Sequence, residues 1–269
     1  MALQNPPNHV LVIGAGIAGL SAASYLLRNG FAVTVVEQHT LPGGLCTSWK
    51  RKGYTVDYCV HWLMGSREGT EFYPMWEQLG AFDNEDGSRV PIVNFDTFTT
   101  IELSSGKTIR LFSDLDKMTE ELLRLAPEDE RAIHRFYTSL KRLAGPFAKE
   151  HEGSAVRRKV ASLKQFLTLM GHLTPMTEYA KRFRNRDLQE LFLTEIPGDW
   201  SVIALTLGLS QQPLKSAGYP VGGSLNLAQN IERTVKDLGA QMRYHEKVSK
   251  ILVTEGKAVG VMLEDGSTI

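Results

Sequence analysis

Cysteine is almost missing from this chain: Cys46 and Cys59 are the only two in 269 residues. A disulfide framework is therefore not the basis of the fold, and a reducing compartment fits better than a secreted one. An excess of one charge is missing too. Thirty basic side chains balance thirty acidic ones, which argues against a nucleic-acid partner, because phosphate binding normally brings a basic surplus. No apolar run approaches the ~18 residues of a membrane span. The longest near the N-terminus, Val10 to Leu20, has eleven residues and three glycines. Met1 to Asn8 is polar, with two prolines and no basic segment, and does not read as a signal peptide. A cytoplasmic chain, at most peripheral to a membrane, is expected. The seven histidines are scattered without ligand spacing, so no metal site is expected, and no G-x-S-x-G elbow occurs for acyl chemistry.

What is present begins at residue 10. Val10-Leu11-Val12-Ile13 is a continuous apolar run, the pattern of a strand buried on both faces of a parallel sheet. Gly14 ends it. Ile17 to Arg28 repeats apolar residues at helical spacing until Asn29-Gly30, and Phe31 to Glu37 returns to β-branched character. Strand, glycine turn, helix and strand make a right-handed βαβ unit. Within it stands Gly14-Ala15-Gly16-Ile17-Ala18-Gly19. The first glycine turns the chain sharply, the second lets main chain approach a pyrophosphate, and the third lets helix and strand pack closely. The helix N-terminus offers amides and a partial positive charge to the diphosphate. Glu37, at the end of the second strand, is placed to accept from both hydroxyls of an adenosine ribose and to repel a 2′-phosphate. These residues specify a dinucleotide without separating FAD from NAD.

Further along, Phe98 to Glu102 and Thr108 to Phe112 predict a hairpin about Ser104-Ser105-Gly106-Lys107. Ser113 is expected to cap the next helix, and Pro127 to start another towards Leu143. Residues 151–186 carry eight basic against two acidic side chains. Within them, Val156 to Leu173 sets Val156, Val160, Leu163, Leu167 and Met170 opposite Arg157, Arg158 and Lys164. That stretch reads either as a lid helix with a solvated basic face, which we favour, or as a peripheral contact with an anionic membrane. Trp200 to Leu209 suits a substrate tunnel or a core helix. Gly222-Gly223-Ser224 introduces a helix to Leu238, and strands follow at Gln241 to Tyr244, Val248 to Val253 and Ala258 to Leu263. Asp265-Gly266 signals one more hairpin turn with only Ser267, Thr268 and Ile269 after it, so a piece of something longer is expected. The fold class is α/β: a Rossmann-type FAD/NAD(P)-binding domain, residues 1–62 and 215–269, with an α+β substrate domain inserted at 63–214.

A second glycine cluster, Leu41-Pro42-Gly43-Gly44-Leu45-Cys46-Thr47, follows Glu37 directly, and Gly53-Tyr54-Thr55-Val56-Asp57 comes next. Paired glycines there let a loop fold over a cofactor with its amides inward. At these residues the chain resembles the FAD-dependent amine oxidase and carotenoid (phytoene) desaturase superfamily. Leu125-Ala126-Pro127-Glu128-Asp129 and Gly218-Tyr219-Pro220-Val221-Gly222-Gly223-Ser224 resemble segments of the desaturase branch. The resemblance implies that Gly14, Ala15, Gly16, Ile17, Ala18, Gly19, Glu37, Gln38, Gly43, Gly44, Leu45 and Val248 lie along FAD, Val248 near the adenine, with FAD favoured over NAD. It implies hydride movement between flavin and an apolar polyene or isoprenoid substrate, leaving desaturase, saturase and isomerase chemistry open. A flavin amine oxidase and a truncated, non-catalytic dinucleotide-binding piece are the alternatives. Two departures stand out: Leu45 sits where members often carry Arg or Lys, and the chain stops at Ile269 without the C-terminal glycine-rich segment of longer members. No catalytic side chain is nominated. His61 and Trp62 read as a pocket acid or base and a pocket wall or, with more weight, as ordinary packing. Cys46 and Cys59 read as a pair or a flavin tether or, with more weight, as buried and inert.

Overall fold

The computed structural model describes residues 8–144 and 155–269. In chain order come β1 (His9–Ile13), α1 (Ile17–Arg28), β2 (Ala32–Val36), β3 (Ser48–Arg51), β4 (Tyr54–Asp57) and β5 (Leu63–Met64). Next are α2 (Tyr73–Gln78), β6 (Ile92–Val93), β7 (Thr97–Glu102), β8 (Thr108–Phe112) and α3 (Leu115–Leu125). A 3-10 turn, Pro127–Asp129, leads into α4 (Glu130–Ala144), followed by α5 (Ala155–Gly171), α6 (Met176–Ala180), α7 (Arg186–Glu195) and α8 (Ile203–Gln211). The last elements are β9 (Ala217–Pro220), α9 (Gly223–Asp237), β10 (Gln241–Arg243), β11 (Val248–Thr254) and β12 (Lys257–Leu263).

Two compact units divide the chain. The first gathers Met1–His61, Met75–Pro91 and Pro220–Ile269; the second gathers Trp62–Pro74 and Ile92–Tyr219. In the first unit β2 is the middle strand of a parallel sheet ordered β1-β2-β10. His9 pairs with Ala32 and Ile13 with Val36 on one side, and Gln241 with Thr34 on the other. Burial follows position: Val33, Val35 and Val36 are buried, while Ile13 on β1 stands half exposed. The expectation that β1 is buried on both faces fails because it lies at the edge of the described sheet. Residues 75–91, expected in the insert, pack in this unit. A Cβ on Gly80 would lie 2.0 Å from Thr234 Oγ1 of α9, the Asn230 side-chain amide donates to the Ala81 carbonyl at 3.1 Å, and Tyr25 Oη donates to Gln78 Oε1 at 2.8 Å. After the turn at Asp265-Gly266 the final residues fold back on β12, where Val261 and Ile269 exchange main-chain hydrogen bonds of 3.0 Å.

The second unit is largely helical around one apolar core. Its β7–β8 hairpin forms where expected, with Ile101 opposite Ile109. The cap of α3 is Asp114, not Ser113. The Asp114 carboxylate accepts from the amides of Asp116 and Lys117, both at 2.9 Å, while the Ser113 hydroxyl donates to the Phe95 carbonyl at 2.5 Å and is thereby removed from the helix end. Phe136, Phe183 and Phe192 are buried together with Tyr179; Phe183 stacks on Phe192 at 4.7 Å, and Phe136 meets Phe192 edge-on at 5.2 Å. Helix α8 contributes Leu205 and Leu209 to this core. On α5, Val160, Leu163, Leu167 and Met170 are exposed, as is Phe166 between them; the side chains of Val156, Arg157 and Arg158 lie outside the described residues. Among the described residues no helix is long and apolar enough to cross a membrane.

Candidate functional site

The glycine turn between β1 and α1 is built almost without side chains. Gly14 takes φ +97°, a left-handed conformation that glycine enters without penalty, and its N–H donates to the Val36 carbonyl at 2.7 Å. A Cβ on Gly19 would lie 2.0 Å from the Gly14 carbonyl oxygen and 3.4 Å from Val12 Cγ1. Only glycine lets the first turn of α1 sit this close to the strand. At the helix start Gly16 is the N-cap, no side chain caps the helix, and its first turn holds no acidic residue. The positive end of the helix dipole is thus left for an anion to meet.

Glu37 is drawn in beside that turn and is only 8% exposed. One carboxylate oxygen accepts from the Ala15 amide at 2.7 Å, the other from the His39 amide at 2.8 Å. A carboxylate has about four acceptor positions, so two remain for vicinal hydroxyls while the main-chain bonds fix its direction. Tyr244 stands close by: burial first, then the Glu232 carboxylate that accepts its hydroxyl at 2.6 Å, and then Glu37 push that hydroxyl above its ordinary range.

The paired glycines close over the same turn. Gly43 and Gly44 take φ +107° and +59°. The Gly43 N–H donates to the Ala15 carbonyl at 2.8 Å, and Gly16 and Gly43 form a parallel bridge. A Cβ on Gly43 would lie 2.2 Å from the Cys46 carbonyl oxygen and 2.9 Å from Ala228 Cβ of α9. The loop is therefore seated between the glycine turn and α9. Gln38 is exposed and Leu45 is 71% exposed, so neither is held in place by packing. Val248, partly buried, packs on the cluster of Val36, Val261 and Leu263, next along the chain from Glu37. The structure thus brings Gly14 to Gly19, Glu37, Gly43 and Gly44 together, with Val248 joined to them through Val36.

Asp57 and Ser224 complete this unit, and no sequence argument linked them. The Asp57 carboxylate accepts from the Ser224 amide at 2.7 Å and also from its hydroxyl, capping α9. The Ser224 hydroxyl in turn accepts from the Val60 amide at 2.8 Å. Both residues stand in quoted motifs, but 167 positions separate them. His61 is exposed, and Trp62 meets Phe98 at a tilt, 5.2 Å between ring centroids, and lies against Gly208 in the second unit. No cluster of three metal-ligating side chains occurs among the described residues.

Residues 12–79 match the family model of the NAD(P)-binding Rossmann-like domain. The chain has a Rossmann-like dinucleotide-binding fold. It is 29% identical over 272 residues to a phytoene desaturase (neurosporene-forming) of Rhodobacter capsulatus, an alignment covering 96% of this chain and 50% of that one. It is 26% identical over 274 residues to prolycopene isomerase 2, chloroplastic, of an Oncidium hybrid cultivar, covering 95% of this chain and 46% of the other. The chain thus spans about half the length of these relatives. Among solved structures it resembles a Pyrococcus furiosus protein, with TM-score 0.60, 19% identity, and coverage of 97% of this chain and 56% of that one. A redesigned putrescine oxidase superposes with TM-score 0.59 at 14% identity, covering 96% of this chain and 55% of the other. The resemblance to desaturases therefore holds in sequence, and the likeness to a putrescine oxidase in fold alone.

Proposed function

We propose that the first unit binds FAD and that the chain is the cofactor-holding part of an oxidoreductase acting on an apolar polyene or isoprenoid substrate. The observation that carries this is Glu37: a buried carboxylate fixed by the Ala15 and His39 amides, beside a helix end that no side chain caps. The diphosphate would lie against residues 14–19, where the α1 dipole offsets its charge, and the ribose hydroxyls would take the free acceptor positions of Glu37. Gly43, bridged to Gly16, and Gly44 after it would shield the diphosphate from water. Val248, with Gln38 and Leu45 at the rim, would line the adenine and flavin ends. A loop of this kind favours FAD over NAD, and Glu37 disfavours a 2′-phosphate. Bound flavin supplies hydride chemistry, and this chain's residues orient it and exclude water rather than relay protons. The second unit would carry the substrate, in keeping with relatives named for phytoene and prolycopene.

A visible spectrum of the purified chain tests the reading. We expect flavin bands at stoichiometric level that a reductant bleaches, and their loss by at least about 100-fold in affinity in Glu37→Ala, since two hydrogen bonds to a charged acceptor contribute about 1.5–3 kcal/mol each. A folded, colourless protein that takes up no added FAD would reject it.

The protein would work in the cytoplasm, peripheral to lipid. Supporting this, exposed Leu163, Phe166, Leu167 and Met170 of α5 adjoin a cleft lined by Arg135, Arg142, Lys164 and Arg182, with no carboxylate among its described lining residues. Co-sedimentation with anionic but not neutral vesicles is expected, weakened by added salt. Equal sedimentation with neither vesicle would remove the lipid contact.

A further inference from the structure

The two cysteines are brought together. Their Sγ atoms are 3.8 Å apart, with the Cys46 thiol donating to Cys59. The contact follows from the β3–β4 hairpin, whose register pairs Ser48 with Asp57 and Arg51 with Tyr54 around a two-residue turn at Lys52-Gly53. The Tyr58 N–H donates to the Thr47 carbonyl at 3.2 Å, so the ladder runs one step past the strands. The next pair in that register is Cys46 opposite Cys59, at a non-hydrogen-bonded position. Facing Cα atoms at such positions are about 4.5 Å apart, inside the ~4.4–6.8 Å range that a disulfide spans. Neither thiol is fully buried as its residue type suggested: Cys59 is exposed and Cys46 partly so.

We propose that Cys46 and Cys59 are a reversible modification site, a vicinal cross-strand dithiol that closes to an intramolecular disulfide by exchange with small-molecule disulfides of the oxidised glutathione type. Their chemistry divides the roles. Burial, the hydrogen bond to Cys59, the Cys59 charge and then Asp57 push the Cys46 thiol up to about 12, so Cys46 keeps its proton and hydrogen-bonds the sulfur of Cys59. The exposed Cys59 thiolate attacks one sulfur of oxidised glutathione, forming a mixed disulfide and releasing one glutathione thiolate. Cys46 then loses its proton to solvent and attacks Cys59 Sγ, expelling the second glutathione thiolate. Two electrons pass from the cysteine pair to glutathione, and both cysteine protons end on the released thiols. Closing the bond brings the sulfurs from 3.8 Å to about 2.0 Å.

The modification acts where the chain is most sensitive to movement. The Cys46 carbonyl lies against Gly43, which is bridged to Gly16, and two residues before Cys59 stands Asp57, the cap of α9. The disulfide therefore fastens the paired-glycine loop to the strand that anchors α9, and, resting on the flavin reading above, it would hold that loop shut over the cofactor.

Trypsin supplies the test. Lys50, Arg51 and Lys52 lie between the two cysteines, so complete digestion leaves peptides 29–50 and 53–67, one cysteine in each. The chain is equilibrated in reduced and oxidised glutathione of rising ratio, trapped with iodoacetamide and digested. We expect the two peptides to appear as one linked species, about 2 Da lighter than the pair of free thiols, and to separate on reduction. C46S and C59S, checked for fold by circular dichroism, should each gain one glutathione instead. Two independently alkylated or glutathionylated peptides in the unmutated chain, or cysteines linked only between chains, would overturn the proposal. The map needs no cofactor: a negative map leaves the flavin reading standing, and a linked map from a colourless protein does the reverse.

Discussion

The two units reach close packing by opposite means. In the core of the second, large side chains fill the space: Phe183 stacks on Phe192, Phe136 and Tyr179 meet Phe192 edge-on, and Phe136 and Phe192 are almost completely buried. In the glycine-turn region of the first, side chains are left out so that main chain can touch main chain, at Gly19 against Gly14 and Gly43 against Cys46. Interiors of the first kind lose stability in proportion to the volume removed. A region of the second kind has no volume to remove, and a single added methyl meets a backbone atom that cannot yield. The contrast teaches that one unit is specified by what it contains and the other by what it omits.

Removing volume gives the largest expected effect. Phe192→Ala should cost about 3–5 kcal/mol in urea unfolding, while each molecule still folded binds cofactor as before. A fall in binding beyond the folded fraction would erase the distinction between the units. Gly19→Ala adds one carbon at 2.0 Å from a carbonyl oxygen; overpacking of this sort costs about 1–3 kcal/mol. Its cofactor loss should far exceed its loss of stability, read by flavin absorbance against circular dichroism. The smallest effect is a pH response confined to the helical unit. His172 is buried and donates through Nδ1 to the Thr168 carbonyl at 2.7 Å; burial chiefly, with Arg182 also contributing, holds its ring below its ordinary range, against the opposing pull of Thr168. As pH falls below about 6.5 the unfolded ring takes up a proton that the folded ring refuses. Stability should therefore be full above that pH and decline below it until the depressed folded value is reached. His172→Gln should flatten this slope in thermal melts from pH 5 to 7, and an unchanged slope would place the titrating group elsewhere.

What could be read from sequence was what neighbours in sequence decide. Helix α1 forms over Ile17–Arg28 as its spacing predicts, and the β7–β8 hairpin forms about its turn. The glycine turn was legible because the left-handed turn at Gly14 favours glycine and close main-chain packing at Gly19 admits only glycine, and Glu37 because it ends the strand beside that turn. Ser113 and Asp114 both carry oxygens suited to a cap, and only the Phe95 carbonyl, eighteen residues away, decides between them. The exposure of Ile13 depends on strand order, and the placing of residues 75–91 depends on α9, far along the chain. Residue type alone suggests burial for Cys46 and Cys59, whereas the hairpin register that joins them leaves Cys59 exposed and Cys46 partly so.

The parallel sheet carries one more consequence, for the order in which the molecule is made. Strand β2 receives β1 at once, yet its other neighbour lies some 207 residues later, where Gln241 meets Thr34. During synthesis the whole second unit is made before β10 exists, while β2 still presents an unpaired apolar edge. Chain closure over such a span is slow compared with local helix formation. The nascent first unit is then the vulnerable part, and a chaperone that covers Val33 to Val36 until β10 arrives would raise the yield of folded protein.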